Sequence, residues 1–488
     1  KNGETAAIQA VVKAAAGVAA VEARIEPDSG MPLCFDLPVA TLRLTAASTS
    51  VGSALGLWKT DWTAHGLEEG YYCVAITVTD AAGHTYTDRS LRFSDPVAGN
   101  TVVGTTNYPE GGMRRMDSAP CLENNIGCAI VDAINGYAWF GTTTSPGKII
   151  KVALGTGYTP PVYLGSLTLN AGENNLVSAV YDHASETGYF GTNTSPGIVV
   201  KVQLGSGPAL PTYIGALTLN PGENFLYCAV IDNATQYAYF GTGTTPAIVV
   251  KIGLGIGLTP FARIGSVTFN AMAGEGDLRC AVIDVTNGFA YFGTNTAQGR
   301  ILKVNLGVGP VAPTRVVGNL LLPAGEGNLS TAVISVSSQY AWFGTNTSPG
   351  RVIKISLNGA ALPTRVGAVT LNAGEGNLTG ATIDVANQAA WFATNTTPAN
   401  VVKVDIGAGA ALPTRLGAIA LAAGENLVTC GGIDVFNGYA YYGTNTTPAQ
   451  VVRVALSQKG FVKGTRFTMP EPGLLDSVSF YSHFSAGD

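Results

Sequence analysis

Short apolar runs of six to eight residues, split by clusters of Pro, Gly, Asn and Thr, fill the chain from Glu123 to about Leu456. One stretch reads LVSAVYD, TGYFGT, GIVVKVQL and YIGALTLN, four candidate strands with turn residues between them. The same four runs then recur. The residue that follows an aromatic pair falls at Gly141, Gly191, Gly241, Gly293, Gly344, Ala393 and Gly443, at steps of 50, 50, 52, 51, 49 and 50 residues. A period of about 40–50 residues carrying several short strands predicts a β-propeller. The fold class expected is therefore all-β, a seven-bladed β-propeller, with the LVSAVYD run innermost by analogy with other propellers and the YIGALTLN run outermost.

Only six outer runs follow from the repeat, near Leu164, Ile214, Ile264, Val317, Val366 and Leu416. A ring without exposed edges needs a seventh from elsewhere. Two segments compete, TVVGTTNYP after Asn100 and FVKGTRFTMP after Gly460. The first is favoured, because KGTRFTMPEPGLLDSVSFYSHFSAGD reads as the opening of a further β-sandwich, which leads us to expect that the protein continues past Asp488.

Residues 1–97 lie outside the repeat. The alanines of AAIQAVVKAAAGVAAVEARI invite a helix, but Ala20, Glu22 and Arg24 alternate with Val21, Ala23 and Ile25 at the period of a strand. GYYCVAITVTD and AGHTYTDRSLRFSD read as two more strands joined by the turn DAAG. The region resembles bacterial Ig-like modules in AAGVAAVEARI, in WKTDWTAHGLEEGYYCVAITVTDAAGHTYTDRS, and in Tyr71 two residues before Cys73. That resemblance implies an Ig-like β-sandwich and makes a Cys34–Cys73 disulfide an expectation, with an oxidising compartment. The division is then 1–97 Ig-like sandwich, 98–122 linker or ring-closing strand, 123–456 propeller, and 457–488 start of a truncated C-terminal sandwich or a closing strand.

Polar residues recur as strictly as apolar ones. Glu123, Glu173, Glu223, Glu275, Glu326, Glu375 and Glu425 open every copy. Lys151, Lys201, Lys251, Lys303, Lys354, Lys403 and Arg453 sit ten residues after each anchor, inside an apolar strand. Asp132, Asp182, Asp232, Asp284, Asp384 and Asp434 end the inner run, with Ser335 as the exception. A base buried mid-strand is costly unless paired, and each copy offers one acid per base. The expectation is that Glu and Lys or Arg pair from blade to blade and that the Asp caps its turn. Sevenfold repetition suits stacking, whereas catalysis needs one asymmetric constellation. The aromatic pairs, such as Tyr189–Phe190, are expected to pack between blades.

Other chemistry is sparse. The four histidines, His65, His84, His183 and His483, neither recur nor neighbour a second candidate ligand. No nucleophile elbow, phosphate loop or zinc spacing appears, so no catalytic residue, cofactor or metal site is assigned. Cys128, Cys228, Cys280 and Cys430 share a repeat position held elsewhere by Ser178, Thr331 and Gly380, which reads as a small buried site, while Cys121 and Cys128 are close enough in sequence to bridge. Sequons fall at Asn193, Asn233, Asn328, Asn346, Asn377, Asn395 and Asn445, as possible glycosylation sites or as good turn residues. A net charge of −5 with 12% charged residues offers no footprint for nucleic acid, and no apolar run is long enough for membrane insertion. Lys1 opens directly into folding sequence, so a processed or trimmed product is expected.

The copies resemble bacterial and archaeal cell-surface propellers with the pattern AVID…GYAYFGT…VVKV, carried here by CAVIDNATQYAYFGTGTTPAIVVKI and TGATIDVANQAAWFATNTTPANVVKV. The resemblance implies a secreted or surface-displayed protein beside Ig-like modules. The function expected is a non-enzymatic extracellular component of a surface layer, sheath or fibre. It would act through self-association or neighbouring surface proteins. The rival is a carbohydrate- or protein-binding adhesin with a glycan ligand; a propeller lyase or quinone-dependent enzyme comes third.

Overall fold

In the computed structural model the chain divides into two compact units, Lys1–Tyr108 with Ser457–Asp488, and Pro109–Leu456. The structure describes residues 5–14, 18–27, 40–49, 55–63, 71–80, 85–94, 113–155, 159–256, 260–456, 466–468 and 475–483.

The second unit is a ring of seven antiparallel blades, each with strands a to d, in chain order in the first six. Blade 1 is Ile126–Asp132, Tyr137–Thr142, Lys148–Ala153 and Val162–Thr168; blade 2 is Leu176–Asp182, Thr187–Thr192, Ile198–Gln203 and Thr212–Thr218. Blade 3 is Leu226–Asp232, Tyr237–Thr242, Ile248–Leu254 and Phe261–Thr268; blade 4 is Leu278–Asp284, Phe289–Thr294, Arg300–Asn305 and a split outer strand, Thr314–Arg315 with Leu320–Leu321. Blade 5 is Leu329–Ser335, Tyr340–Thr345, Arg351–Ser356 and Thr364–Thr370; blade 6 is Leu378–Asp384, Ala389–Thr394, Asn400–Asp405 and Thr414–Ala420. Blade 7 takes Val428–Asp434, Tyr439–Thr444 and Gln450–Ala455 from the last copy, and its strand d is Arg114–Pro120, from before the first. Successive a strands pack against one another around the ring while d strands hardly meet, which places a at the axis.

The ring is therefore closed from the N-terminal side, within 98–122, but by neither of the two candidate segments. TVVGTTNYP lies outside the described residues. Of FVKGTRFTMP, Arg466–Thr468 pairs in the other unit. The closing strand RRMDSAP aligns Arg115 with Val454 and Asp117 with Arg453.

Strand d carries a bulge wherever it is continuous: Lys151 faces Gly165 and Val152 faces Tyr163, which leaves Leu164 without a partner, and blades 2, 3, 5, 6 and 7 repeat this. At Gly165, Gly265 and Gly367 the bulge glycine has a packing reason. A Cβ on Gly367 would come 2.2 Å from Leu412 Cδ2, and one on Gly165 would come 2.8 Å from Leu210 Cδ2, so the c–d loop of one blade seats a leucine on strand d of the blade before it. Strands b and c are apolar on both faces and buried. Between blades 1 and 2, Trp139, Ile149, Tyr181, Phe190 and Val200 form one cluster, and each other seam repeats it. Full burial of each such side chain contributes about 1.5–3 kcal/mol.

The first unit has two antiparallel sheets. One runs Ala40–Arg43, Val18–Pro27, Tyr71–Asp80, Thr85–Ser94; the other runs Arg466–Thr468, Leu475–His483, Thr5–Ala14, Leu55–Thr63, Thr45–Thr49. The alternation at residues 20–25 is a strand, with Val21 and Ala23 buried and Arg24 exposed. Of residues 457–488, the described strands Arg466–Thr468 and Leu475–His483 join the second of these sheets, Leu475–His483 pairing with Thr5–Ala14 and His483 opposite Ala7. The expected Cys34–Cys73 bond and the Tyr71 corner fall on side chains outside the described residues.

Candidate functional site

The repeated charges are the first candidates. The structure keeps the predicted partners apart. Glu123, Glu173, Glu223, Glu275, Glu326, Glu375 and Glu425 lie in the connections that lead from strand d of one blade to strand a of the next. In the one before blade 3, the Glu223 carbonyl accepts from Gly197 N–H of blade 2 and its Oε2 accepts from Asn220 N–H at 3.1 Å. Its carboxylate then takes Arg263 from strand d of blade 3, Nη2 to Oε1 at 2.6 Å. Glu275 pairs likewise with Arg315, Glu326 with Arg365, Glu375 with Arg415, and Glu425 with Arg115 of the closing strand. In blade 2 the partner is the Tyr213 hydroxyl, which donates to Glu173 at 2.7 Å. In blade 1 Tyr163 holds the equivalent position, and Glu123 takes Lys148 and the Ser166 hydroxyl instead. The Glu clips adjoining blades, and in blades 3 to 6 its base is an arginine about forty positions on, not the recurring lysine.

The lysines are engaged elsewhere. Lys251 Nζ donates to the carbonyls of Leu306, Gly307, Gly309 and Val311 in the c–d loop of blade 4, at 2.7–3.1 Å. Lys354 makes the same four contacts with Ile406, Gly407, Gly409 and Ala411. Lys151 donates to Gly205 and Ala209, Lys201 to Leu254 and Gly255, Lys303 to Gly359 and Ala361, and Lys403 to Leu456. Aromatic rings line the stem, as where Lys251 lies 4.2 Å from the Tyr237 centroid. A ring of carbonyl dipoles satisfies a buried ammonium without desolvating a second full charge, as at Lys151, Lys201, Lys251, Lys303 and Lys354. Burial pulls Lys251 down to about 8, with the Asp232 charge opposing. Arg453 is the exception: it pairs with Asp117 on strand d of its own blade, at 2.9 and 2.5 Å. Six blades carry Lys here. The five continuous ones among them face it with the bulge Gly, and the seventh blade carries Arg opposite Asp.

The aromatic pairs also bind backbone. Trp139 Nε1 donates to Leu204 O at 2.9 Å, and the Tyr239 hydroxyl to Leu306 O at 2.9 Å, the same loop that the lysine grips. The Asp residues cap the a–b turn: Asp132 Oδ1 accepts from Ile134 and Asn135 N–H, and Asp434 from Asn437. Ser335 does the same toward Ser338.

Among the described residues no group of three or more His, Cys, Asp or Glu could hold a metal, and no helix is long and apolar enough to cross a membrane. Cys121 and Cys128 do not bridge: both are free and buried, as are Cys228, Cys280 and Cys430. Burial pushes the Cys228 and Cys430 thiols up to about 12. His183 lies against the Tyr181 ring, with centroids 4.1 Å apart. Of the sequon residues Asn346 is exposed, while Asn193, Asn233, Asn328, Asn377, Asn395 and Asn445 are half-buried.

One break in the repetition gathers charged and aromatic side chains together, where strand a begins in blades 3 and 4. There Arg279 Cζ lies 3.5 Å over the Tyr227 ring, Phe225 stacks on Tyr227, and Asp277 accepts from Arg279 Nε at 2.6 Å. Arg279 alone stands out in the sequence; its neighbours become a cluster only once the blades are assembled.

No protein-family model matches the chain, and no curated protein is similar to it. Among solved structures, the WD40 repeats of RRP9 superimpose with a TM-score of 0.51 at 9% identity, covering 71% of this chain and 98% of that one. The WD40 β-propeller domain of Doa1 gives 0.50 at 10% identity, covering 70% and 97%. At such identity the likeness is one of fold. The chain is a seven-bladed β-propeller repeat protein.

Proposed function

We propose that this chain is a non-enzymatic scaffold displayed outside the cell, a component of a surface layer, sheath or fibre, in which the ring is a rigid block for contacts with further copies or neighbouring surface proteins. The reading includes an Ig-like module at residues 1–97. The observation that carries it is the use of the recurring buried charges: Glu clips, Lys–carbonyl cages and Asp caps are spent on joining blades and turns. What remains for partners is the loops and the rim, where Val308 and Val317 of blade 4 are 90% and 87% exposed and Phe436 77%. Exposed apolar residues of this kind suit lateral contacts.

Light scattering of the purified chain, electron microscopy of sheared surface material and antibody labelling of intact cells test the reading. Ordered assemblies and labelling of unpermeabilised cells are expected. A monomer confined to the cell interior would sink it.

A further inference from the structure

Departures from the repeat concentrate on the face where the d–a connections enter strand a. The second residue of that strand is Gly127, Val177, Ser330, Thr379 or Thr429 in five blades, but Tyr227 in blade 3 and Arg279 in blade 4. The residue before the strand is Asn125, Asn175, Asn328, Asn377 or Leu427, but here Phe225 and Asp277. A third position holds Thr143, Asn193, Asn295, Asn346, Asn395 or Asn445, and only blade 3 has Gly243. A Cβ on Gly243 would come 2.2 Å from Tyr227 Cε2. Two changes were thus needed to seat an aromatic ring where packing elsewhere takes a small or aliphatic residue.

The result is a layered platform. Phe225 and Tyr227 stack with centroids 6.4 Å apart and planes at 28°, and both rings are half-buried. The Arg279 guanidinium lies over Tyr227, Cζ 3.5 Å from the ring centroid, and is held by Asp277, which also accepts from Asn295 Nδ2 at 2.8 Å. Arg279 Nη1 has no hydrogen-bond partner among the described residues. Two more guanidiniums stand on the same face. Arg300 donates to Gln298 O and lies against Gly274 of the turn that carries fully exposed Met272; Arg351 lies beside Gly325 in the next connection. Neither is in an ion pair among the described residues. Blades 2, 3, 6 and 7 place Ile198, Ile248, Asn400 and Gln450 there.

We infer that this face of blades 3 to 5 binds an acidic polysaccharide. Uronate carboxylates would meet the guanidiniums of Arg279, Arg300 and Arg351, while the C–H face of one pyranose ring lies on the half-buried Phe225 ring, which Tyr227, itself covered by Arg279, supports from beside it. Asp277 and Asn295 offer an acceptor and a donor to ring hydroxyls. The local excess of cations on a chain of net charge −5 selects an anion. The partly open Phe225 ring selects a saccharide over an acidic peptide.

Calorimetric titration of the full chain tests this with three probes: polygalacturonate oligomers, the same oligomers with carboxyls reduced, and poly-glutamate of matched charge. Binding of the first alone is expected, weakening as salt rises. Arg300→Gln with Arg351→Gln, both at partly exposed positions, should weaken it tenfold or more without moving Tm. Tyr227→Val with Gly243→Asn restores the combination that blade 2 tolerates, so it should fold and lose binding to a similar degree. No polygalacturonate binding, affinity unchanged in both variants, or equal affinity for poly-glutamate would each overturn the inference. These outcomes do not depend on whether the chain assembles outside the cell.

Discussion

A buried carboxylate can serve as a joint only if its charge is matched locally, and the seven Glu residues show how narrow the solution is. Burial alone would push the Glu223 carboxyl up, but Arg263, the Asn220 N–H and Ser266 hold it below the ordinary value; Glu425 is held down in the same way by Arg115, the Ala422 N–H and Ser118. A depressed folded pKa contributes stability that is complete above the unfolded value and fades as pH falls. Thermal stability should therefore drop from about pH 4.5 downward, and Glu223→Gln should flatten that slope in melts at pH 3–6. Arg263→Met strands Glu223, whose side chain is 5% exposed, and should cost about 2–3 kcal/mol in denaturant melts, less than the ~3–5 of a fully buried pair because the guanidinium is partly solvated. Lys251 gives a slope of the same sign for the opposite reason, because here the charged form is the disfavoured one. Its folded value of about 8 lies below the unfolded one, so charging it costs stability at neutral pH, and that cost is relieved progressively as pH rises from 8 towards the ordinary lysine value of about 10.4. Between pH 7 and 9 the wild type should gain stability relative to Lys251→Met; a pH-independent difference would contradict the assignment.

The strand pattern and blade number were legible at the level of the element because each copy presents the same four runs, and seven noisy readings of one pattern reinforce each other. The closing strand was not, since it occurs once and its bulge glycine is replaced by Asp117. In hindsight Arg115 stands where strand d of blades 3 to 6 has Arg263, Arg315, Arg365 and Arg415. The Glu clip was legible as a role but not as a pair, because charge counting favoured the strict Lys column over a column mixed between Tyr163, Tyr213 and arginines. The Lys cage could not be read at all: its acceptors are backbone carbonyls, which leave no mark on side-chain identity. Gly367→Ala should cost about 1–3 kcal/mol, by pressing the new methyl into Leu412. A permuted ring that begins at Glu123 and carries RRMDSAP after Leu456 behind a blade-2-like loop should melt near the native ring. The same ring without that strand should lose cooperative unfolding, as calorimetry would show.

At the scale of the whole molecule, the ring begins and ends inside another unit's sequence, since Thr5–Ala14 and Leu475–His483 are neighbours in one sheet. Truncation after Leu456 should destabilise that sheet and leave the ring's transition in place, two events that calorimetry separates. The crossing points have a mechanical side as well. Arg114 and Ala455 sit opposite each other at one end of the closing pair. Tension drawn through the two leads would part that pair rung by rung, as a zipper opens, instead of shearing all its bonds at once. A protein anchored only through those leads would yield at low load. Optical-tweezer traces with handles at Met113 and Leu456 would display the weakness. The strands flanking them, by pairing with each other, route strain around the toroid and spare its fastener.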